Sequence, residues 1–536
     1  MTVNYTLGDP DTPLHALQRA VHDKPDGIFA DLSGEKFTFR ELDRASTRLA
    51  HSLADLGVVK GQTVVSLLET HLDVFTIWFA VNKIGAIWVP LNLSYRHEFL
   101  RHQVNDSAAK IVICDNKYLE YISEIAPGLN DVELVLCRDW VDETIEGLRV
   151  EPFDRFRGTD ETDIPISVVP GDLALLVYTS GTTGPSKGCM LSHNLFCMLG
   201  RQHIDAVPQG PNDRTWTCLP LFHMSALNVV MGGLLAQTGV ALAARFSLSN
   251  FWKEIELTRP TSAILMASIF PLVAKAPDSE EMKRCYGQLQ VVQGVPISPE
   301  VKRIWMERFG VKSMSTFQYG QTEGCRLSTY NIGDPEPPEG SAGRVACQFE
   351  VMIFDDEDRP LADGQIGEIV YRPREPHVMF EGYWRRPEET LKVWRNMWMH
   401  TGDLGKLEGP YLYFCDRKKD YLRSRGENIS SFEVESTFIS HPDVLEVAVH
   451  AVGMKAADDE VKITAVMREN CGTTEEDLCR WSIDNLPHFA VPRYVEFRSE
   501  LPKNPTGKIL KYSLRDEGVT AQTWDRESAG IQVRRR

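Results

Sequence analysis

Apolar positions along this chain fall into short continuous runs that alternate with longer, helix-length segments over roughly the first 400 residues. Val64 to Leu68 and Lys110 to Cys114 read as buried strands, and Ala86 to Val89 as another. His71 to Ile84 is long enough for a helix, and Gly85 and Pro90 punctuate the boundaries. A second set follows. Its helices are Ser192 to His203, a segment after Ser225, and Ser249 to Arg259; its strands are Thr215 to Leu219, Val240 to Ala244 and Ala263 to Met266. Strands that alternate with helices imply βαβ units and a largely parallel sheet, and two such sets predict two packed α/β sheets.

The pattern changes between Gly340 and Tyr371, where short strands such as Phe349 to Phe354 and Glu368 to Tyr371 are separated by turn signals such as Asp363-Gly364. This suits a small β-barrel or sheet attached to the α/β body. A charge run, Asp416 to Asp420, follows the strand-like Tyr411 to Phe414 and precedes a fresh α+β pattern ending near Arg515. The expected organisation is therefore a large N-terminal domain over residues 1–417, a smaller α+β domain over 418–520, and a mobile tail over 521–536.

Length and composition narrow the class. At 536 residues the chain exceeds what one core organises, and 43% hydrophobic with 25% charged residues is ordinary for a globular protein. The net charge of -17 argues against nucleic acid and anionic membrane surfaces as partners, since both need clustered positive charge. Eleven cysteines, an odd number with no Cys-x-x-Cys pair, suggest neither a disulfide framework nor a zinc site, and point to a reducing compartment. The first residues lack the basic and apolar segments of a signal peptide, and the longest apolar stretch, Val74 to Val89, is interrupted by Asn82, Lys83 and Gly85. The expectation is a soluble cytoplasmic protein without stable membrane insertion; whether it forms a homo-oligomer is left open.

Against this acidic background one segment is built for an anion: Tyr178-Thr-Ser-Gly-Thr-Thr-Gly-Pro-Ser-Lys187-Gly188, directly after the apolar Leu173 to Val177. Small residues let backbone N–H groups turn toward phosphate, hydroxyls add donors, and Lys187 adds a point charge. The spacing excludes a Walker A loop, because Pro185 and Ser186 separate Gly184 from Lys187 and Gly188 stands where a Mg-binding hydroxyl is needed. It also lacks the dinucleotide fingerprint, and Pro185 would break the helix such a fingerprint opens. The segment closely resembles the signature loop of the acyl-adenylate-forming superfamily, which contains acyl-CoA ligases, peptide-synthetase adenylation domains and firefly-type luciferases.

Further motifs extend the resemblance, in the expected order, from Thr38-Phe-Arg-Glu41 to Gly507-Lys508. In Phe317-Gln-Tyr319-Gly-Gln-Thr322-Glu323 it implies that Tyr319 stacks on adenine, Thr322 meets the α-phosphate and Glu323 binds Mg²⁺. In Thr401-Gly-Asp403 it implies that Asp403 accepts from both ribose hydroxyls, with Arg417 reaching the ribose or phosphates. In Asn504-Pro-Thr-Gly-Lys508 it implies that Lys508 neutralises charge between the substrate carboxylate and the α-phosphate. Together with Thr179, Ser180, Gly181, Thr182, Thr183 and Lys187 of the loop, Gly294, Val295, Pro296, Gln318 and Gly320 complete the nucleotide-binding set the resemblance implies.

By the same resemblance Lys419 is the pivot of the small domain, and Arg425, Gly426 and Glu427 lie toward a channel for CoA. Many relatives have Gly where Arg425 stands, so Arg425 either narrows that channel or contacts a CoA phosphate; many also have proline where Ser431 stands, a change expected to be inconsequential. The acyl pocket is expected around His223, Met224, Gln293 and Arg326. His223 reads equally as a residue at the pocket mouth, acting in catalysis with Lys508, Thr322 and Glu323, or as a packed core histidine. Arg326 reads as a surface arginine in preference to a ligand for a polar or second acidic group on the substrate.

Among subfamilies the chain resembles the carnitine/crotonobetaine-CoA ligase branch through Arg425-Gly-Glu-Asn-Ile-Ser430 and Ser431. The implied activity is ATP- and Mg²⁺-dependent ligation of a small-molecule carboxylic acid to coenzyme A through an acyl-adenylate. The alternatives are an enzyme performing one half-reaction, and a non-catalytic nucleotide or acyl-adenylate sensor.

Overall fold

The helix Leu72–Lys83 shows how the first part of the chain is layered. Every residue from Val74 to Lys83 is buried, and a helix without a polar face must be covered on all sides. Trp78 stacks on Trp88 of the strand Ile87–Pro90, with centroids 5.3 Å apart. Phe75 and Phe79 meet Phe29 of the strand Ile28–Leu32 edge-on at 5.1 and 6.1 Å. Those strands belong to different sheets, so the helix lies between the two. Lys83 is buried there because Asp43 and Thr47 meet its Nζ at 2.7 and 2.6 Å.

The computed structural model describes all residues except 1–10, 143, 180–185, 208–209, 295–296, 316–317, 419–421, 425–426, 430, 453–459, 470, 489, 504–508 and 534–536. They divide into two units, residues 1–350 with 372–395, and residues 351–371 with 396–536.

In the first unit each sheet has seven strands, six parallel and one antiparallel at the edge. One runs 149–152, 134–138, 111–115, 63–67, 87–90, 173–179, 187–192; the other runs 313–315, 291–293, 262–264, 215–217, 240–242, 28–32, 35–38. The two α/β sheets expected from the sequence are present, and the second includes two strands that the sequence analysis does not assign. Ile28–Leu32 and Glu35–Thr38 precede the first set in the chain yet join the second sheet, Ala30 pairing in parallel with Val240. Hydrophobic period predicts a strand but not its neighbour.

The elements that carry the site are α1 (His97–Ser107), β1 (Leu173–Thr179), β2 (Lys187–Ser192), α2 (His193–Ala206), α3 (Met224–Leu235), β3 (Gln318–Gln321) and β4 (Cys325–Thr329). Ser192 starts α2 by accepting from the Leu195 N–H, a side-chain cap for one orphan helix donor. β3 and β4 form a hairpin in which Gly320 lies opposite Arg326. A Cβ at Gly320 would stand 1.7 Å from the Cys325 carbonyl oxygen, so only glycine fits there.

In the second unit β5 (Gly367–Pro373) pairs, through residues 367–371, antiparallel with β6 (Trp398–Glu408), which pairs with β7 (Tyr411–Arg417). A hairpin of β8 (Leu422–Ser424) and β9 (Glu427–Ile429) follows, then α4 (Ser431–Ile439) and a four-stranded mixed sheet, 444–452, 460–467, 494–497 and 524–525. Phe438, Val449, Ile463 and Leu478 are fully buried in its core. Position 417/418 falls inside this unit, at the end of β7. The tail differs from expectation, because Trp524 and Asp525 pair with Val495 and Tyr494 and so tie it to the sheet. The helix α5 (Lys511–Glu517) precedes it. Among the described residues no helix is long and apolar enough to cross a membrane, and all eleven cysteines are free thiols.

Candidate active site

The glycine- and hydroxyl-rich loop joins β1 to β2, and it leaves Thr179 and Lys187 as a cross-strand pair. Ser180, Gly181, Thr182 and Thr183 lie outside the described residues. The loop exit is held from α1. His102 Nε2 bonds the Ser186 carbonyl at 2.9 Å, and Gln103 donates to the Ser186 hydroxyl at 3.0 Å. Below it Tyr178 donates to Asp106 at 2.9 Å, and Asp106 also accepts from Arg386 at 2.9 Å. Burial and the Asp106 charge push the Tyr178 phenol above its ordinary value, so it stays a donor.

A segment outside every sequence motif connects this loop to the next. Residues 381–384 run along β2, with Met190 N–H donating to the Gly382 carbonyl at 3.0 Å and Trp384 N–H donating to the Gly188 carbonyl at 2.8 Å. This places the Tyr383 ring 4.7 Å from Lys187 Nζ. Lys187 Nζ also lies 2.8 Å from Glu389, whose carboxyl is held below its ordinary value by the hydrogen bond from Lys187. On its other side Tyr383 donates its hydroxyl to Glu323 Oε1 at 2.8 Å, and Phe380 N–H donates to the Glu323 carbonyl at 2.8 Å. Burial, then the Glu323 charge, raise the Tyr383 phenol and keep its proton in place. A lysine suited to phosphate and a carboxylate suited to a hard cation thus flank one ring. Among the described residues no group of three or more His, Cys, Asp or Glu could hold a metal by itself. A Mg²⁺ that keeps phosphate and water ligands needs only one or two carboxylates, so Glu323 fits it.

Glu323 sits with half-buried Thr322 in the turn between β3 and β4. Gln318 pairs with Thr329, and Tyr319, 8% exposed, pairs with Ser328. Gln293 ends the strand Val291–Gln293, buried, with its Oε1 lacking a hydrogen-bond partner, and Gly294 N–H donates to the Ser315 carbonyl. Val295 and Pro296 lie outside the described residues.

Two pocket residues differ from their sequence readings. His223 is exposed and caps α3, its Nδ1 accepting from the Ser225 N–H at 3.3 Å, so it is not a packed core histidine. That bond assigns the ring proton to Nε2, which makes Nε2 a donor. Met224, half-buried, begins α3. Arg326 is not a surface residue; it is 4% exposed. The hairpin turns it inward, opposite Gly320, against Asn228 of α3. Burial pulls its guanidinium down to about 10, so it remains a cation at neutral pH.

In the second unit Asp403 and Arg417 are cross-strand partners on β6 and β7, with Arg417 Nε 3.8 Å from Asp403 Oδ1. Gly402, at φ +71°, forms the bend between Thr401 and Asp403. Its N–H donates to Glu368 at 3.1 Å, and its carbonyl accepts from the Lys418 N–H at 2.9 Å. Burial raises the Glu368 pKa, but bonds and charge from His400 and Lys418 outweigh it and bring it to about 2.

Lys419, Arg425, Gly426 and Lys508 lie outside the described residues, and Glu427 is placed on β9. Just after Lys508, Ile509 bridges to Lys503, and α5 begins. Lys511 of α5 donates to the Ser431 hydroxyl at 2.6 Å and lies 2.8 Å from Glu435, while Ser431 N–H donates to Asp416 at 2.5 Å. Ser431 is therefore consequential, since a proline there would lack that donor.

Sequence reasoning passed over Tyr383, Glu389, Asp106 and Arg386. They stand far from the motifs in the chain and carry no spacing of their own; the aromatic cluster Phe380, Tyr383 and Trp384 was the only available signal.

Residues 17–384 match the family model of the AMP-binding enzymes, and residues 433–508 match that of the AMP-binding enzyme C-terminal domain. The chain belongs to this AMP-binding enzyme family. It is 30% identical over 516 residues to a long-chain-fatty-acid–CoA ligase of Escherichia coli O157:H7, covering 90% of each chain. It is 28% identical over 503 residues to a crotonobetaine/carnitine–CoA ligase of Citrobacter koseri, covering 91% of this chain and 95% of that one. Among solved structures it is similar to ATP-bound MatB from Rhodopseudomonas palustris, at 25% identity and a TM-score of 0.82, covering 95% of this chain and 99% of the other.

Proposed function

We infer that this protein is an ATP-dependent, AMP-forming acyl-CoA ligase. The observation that carries the reading is the match across about nine-tenths of the chain to two relatives that share CoA ligation but not the acid. A carboxylate oxygen of the acid attacks the α-phosphorus of ATP, and the bond to pyrophosphate breaks. The CoA sulfur then attacks the acyl carbon, the bond to AMP breaks, and the thiol proton is released. A free carboxylate is a poor electrophile, whereas an adenylate carries a good leaving group.

The roles assigned to individual residues are proposals, supported by geometry for the described residues and by the family resemblance alone for those outside them. Lys187 and the loop before it would hold phosphates, which must draw Lys187 from Glu389. Glu323, oriented by Tyr383, would hold Mg²⁺, which when bound neutralises phosphate charge. Thr322 would donate to the α-phosphate, and Tyr319, with Gln318, Gly320 and Gly294 to Pro296, would frame the base. Asp403, braced by Thr401 and Arg417, would accept from the ribose hydroxyls. His223 Nε2 would donate to the reacting carboxyl group. Lys508 would serve adenylation, and Arg425, Gly426 and Glu427 the CoA arm, with residues 418–520 acting as the small domain pivoting at Lys419. A cytoplasmic location is proposed because none of the eleven cysteines is in a disulfide.

The test is release of pyrophosphate and AMP across a panel of carboxylic acids with MgATP, with and without CoA, in the wild type and Lys508→Ala. Turnover that requires one acid and CoA, and collapses in the variant, is expected. Thioester formation only from a supplied acyl-adenylate would instead assign the second half-reaction alone.

A further inference from the structure

Among the described residues Arg326 is a buried cation with no anion beside it. With the Asn228 amide turned so that its oxygen faces the guanidinium, that oxygen accepts from Nε at 2.9 Å and Nη2 at 2.7 Å. Nη1 is buried with no hydrogen-bond partner, and among the described residues no carboxylate stands within ion-pair distance of Arg326. Withdrawing a guanidinium from water is costly unless a charged partner and satisfied N–H groups offset it, and one neutral amide offsets little. The nearby histidine does not help. His203 of α2 is fully buried, held neutral by burial and by the Arg326 charge, and bonded to Thr215 at 3.0 Å.

The placement says where an anion would come from. Arg326 lies three residues after Glu323, on the strand leaving that turn. Its partner Asn228, on α3, lies five residues beyond the cap residue His223, an axial rise of about 7.5 Å. An acid bound with its reacting carboxyl group at His223 and its chain along α3 would carry its far end toward Asn228, whose amide meets the Arg326 guanidinium.

We propose that the acid this ligase activates carries a second carboxylate, and that Arg326 is the specificity-determining residue that binds it. This rests on the ligase reading and names its substrate class. The second carboxylate takes the donors that Asn228 leaves, through a charge-assisted and directional contact. A neutral chain end would leave a buried guanidinium unpaired, and such a mismatch is rejected more strongly than a change in apolar length.

The test compares, on the full chain with MgATP and CoA, straight-chain dicarboxylic acids of graded length with their monomethyl esters, which keep the reacting carboxyl group but lose the second charge. The wild type is expected to favour the best diacid over its ester by about 100-fold in kcat/KM. Arg326→Met is expected to bring that ratio near unity, and Arg326→Lys, which keeps the charge without the fork, to restore part of it. A residue that only tied β4 to α3 would lower both rates and leave the ratio intact, which would overturn the proposal. Equal use of diacid and ester by the wild type would overturn it too, a result that stands even if Arg326→Met does not fold. In both cases acid-dependent pyrophosphate release survives. Its absence with every acid, mono- or dicarboxylic, would remove the ligase reading and this inference with it.

Discussion

The Tyr383 hydroxyl donates to Glu323 Oε1 at 2.8 Å, so a residue of the segment along β2 fixes the carboxylate in the turn between β3 and β4. Tyr383→Phe keeps the ring beside Lys187 and removes that bond. A hydrogen bond to a charged group contributes about 1.5–3 kcal/mol, so the Mg²⁺ concentration for half-maximal activity is expected to rise about tenfold or more. A Mg²⁺ titration at fixed ATP checks this. An unchanged midpoint would leave the hydroxyl a packing role only.

Under the role proposed for Lys187, Glu389 competes with phosphate for it. Glu389→Gln is expected to lower the KM for ATP several-fold, read from initial rates. The pH dependence of stability has a defined sign. The Glu389 carboxyl lies below its ordinary 4.5, chiefly through the bond from Lys187, so its contribution is present above about pH 4.5 and fades as pH falls through the lowered value. The ion pair is partly solvated, so the loss in the variant at neutral pH should be about 1 kcal/mol or less. Denaturant midpoints for both proteins at pH 7 and pH 4 measure it.

Glu368 should show a larger effect of the same sign. Its pKa falls from 4.5 to about 2 although burial opposes the shift, because His400, Lys418 and the Gly402 N–H favour the charged form. The stabilisation is complete above about pH 4.5 and is lost as pH falls toward 2. Glu368→Gln should cost about 3 kcal/mol at pH 7, with the difference shrinking on acidification. Because Glu368 accepts from Gly402, the KM for ATP should rise as Asp403 loosens.

Ser431 separates a backbone from a side-chain effect. Ser431→Ala keeps the N–H given to Asp416 and loses the contact with Lys511, at about 1 kcal/mol. Ser431→Pro loses both and takes one of the N–H donors from a buried carboxylate that also accepts from the Arg417 N–H, at about 3 kcal/mol. Equal losses in chemical denaturation would show that the N–H contributes little.

Much of the architecture was legible as period and punctuation. The helix read at His71 to Ile84 spans Leu72–Lys83, and the strand read at Phe349 to Phe354 has those same bounds. The motifs themselves are legible as spacing, since each is a few consecutive residues. What escaped were relations between distant segments: the strand Ile28–Leu32 joining the second sheet, Trp524 and Asp525 tying down the tail, and Ser431 serving Asp416.

Arg326 marks the division most clearly. Chain chemistry placed an arginine three residues after Glu323, and that much is covalent: order, spacing, charge and the alternation that sets a strand face. Whether that face met water or α3 was decided by packing. The β3–β4 hairpin, helix α3 and the segment along β2 come together only in the folded chain. A side chain's burial, partner and effective charge are properties of its neighbours in space. Local sequence encodes backbone preference, and so it could name Lys187 and Glu323 but not the tyrosine that stands between them.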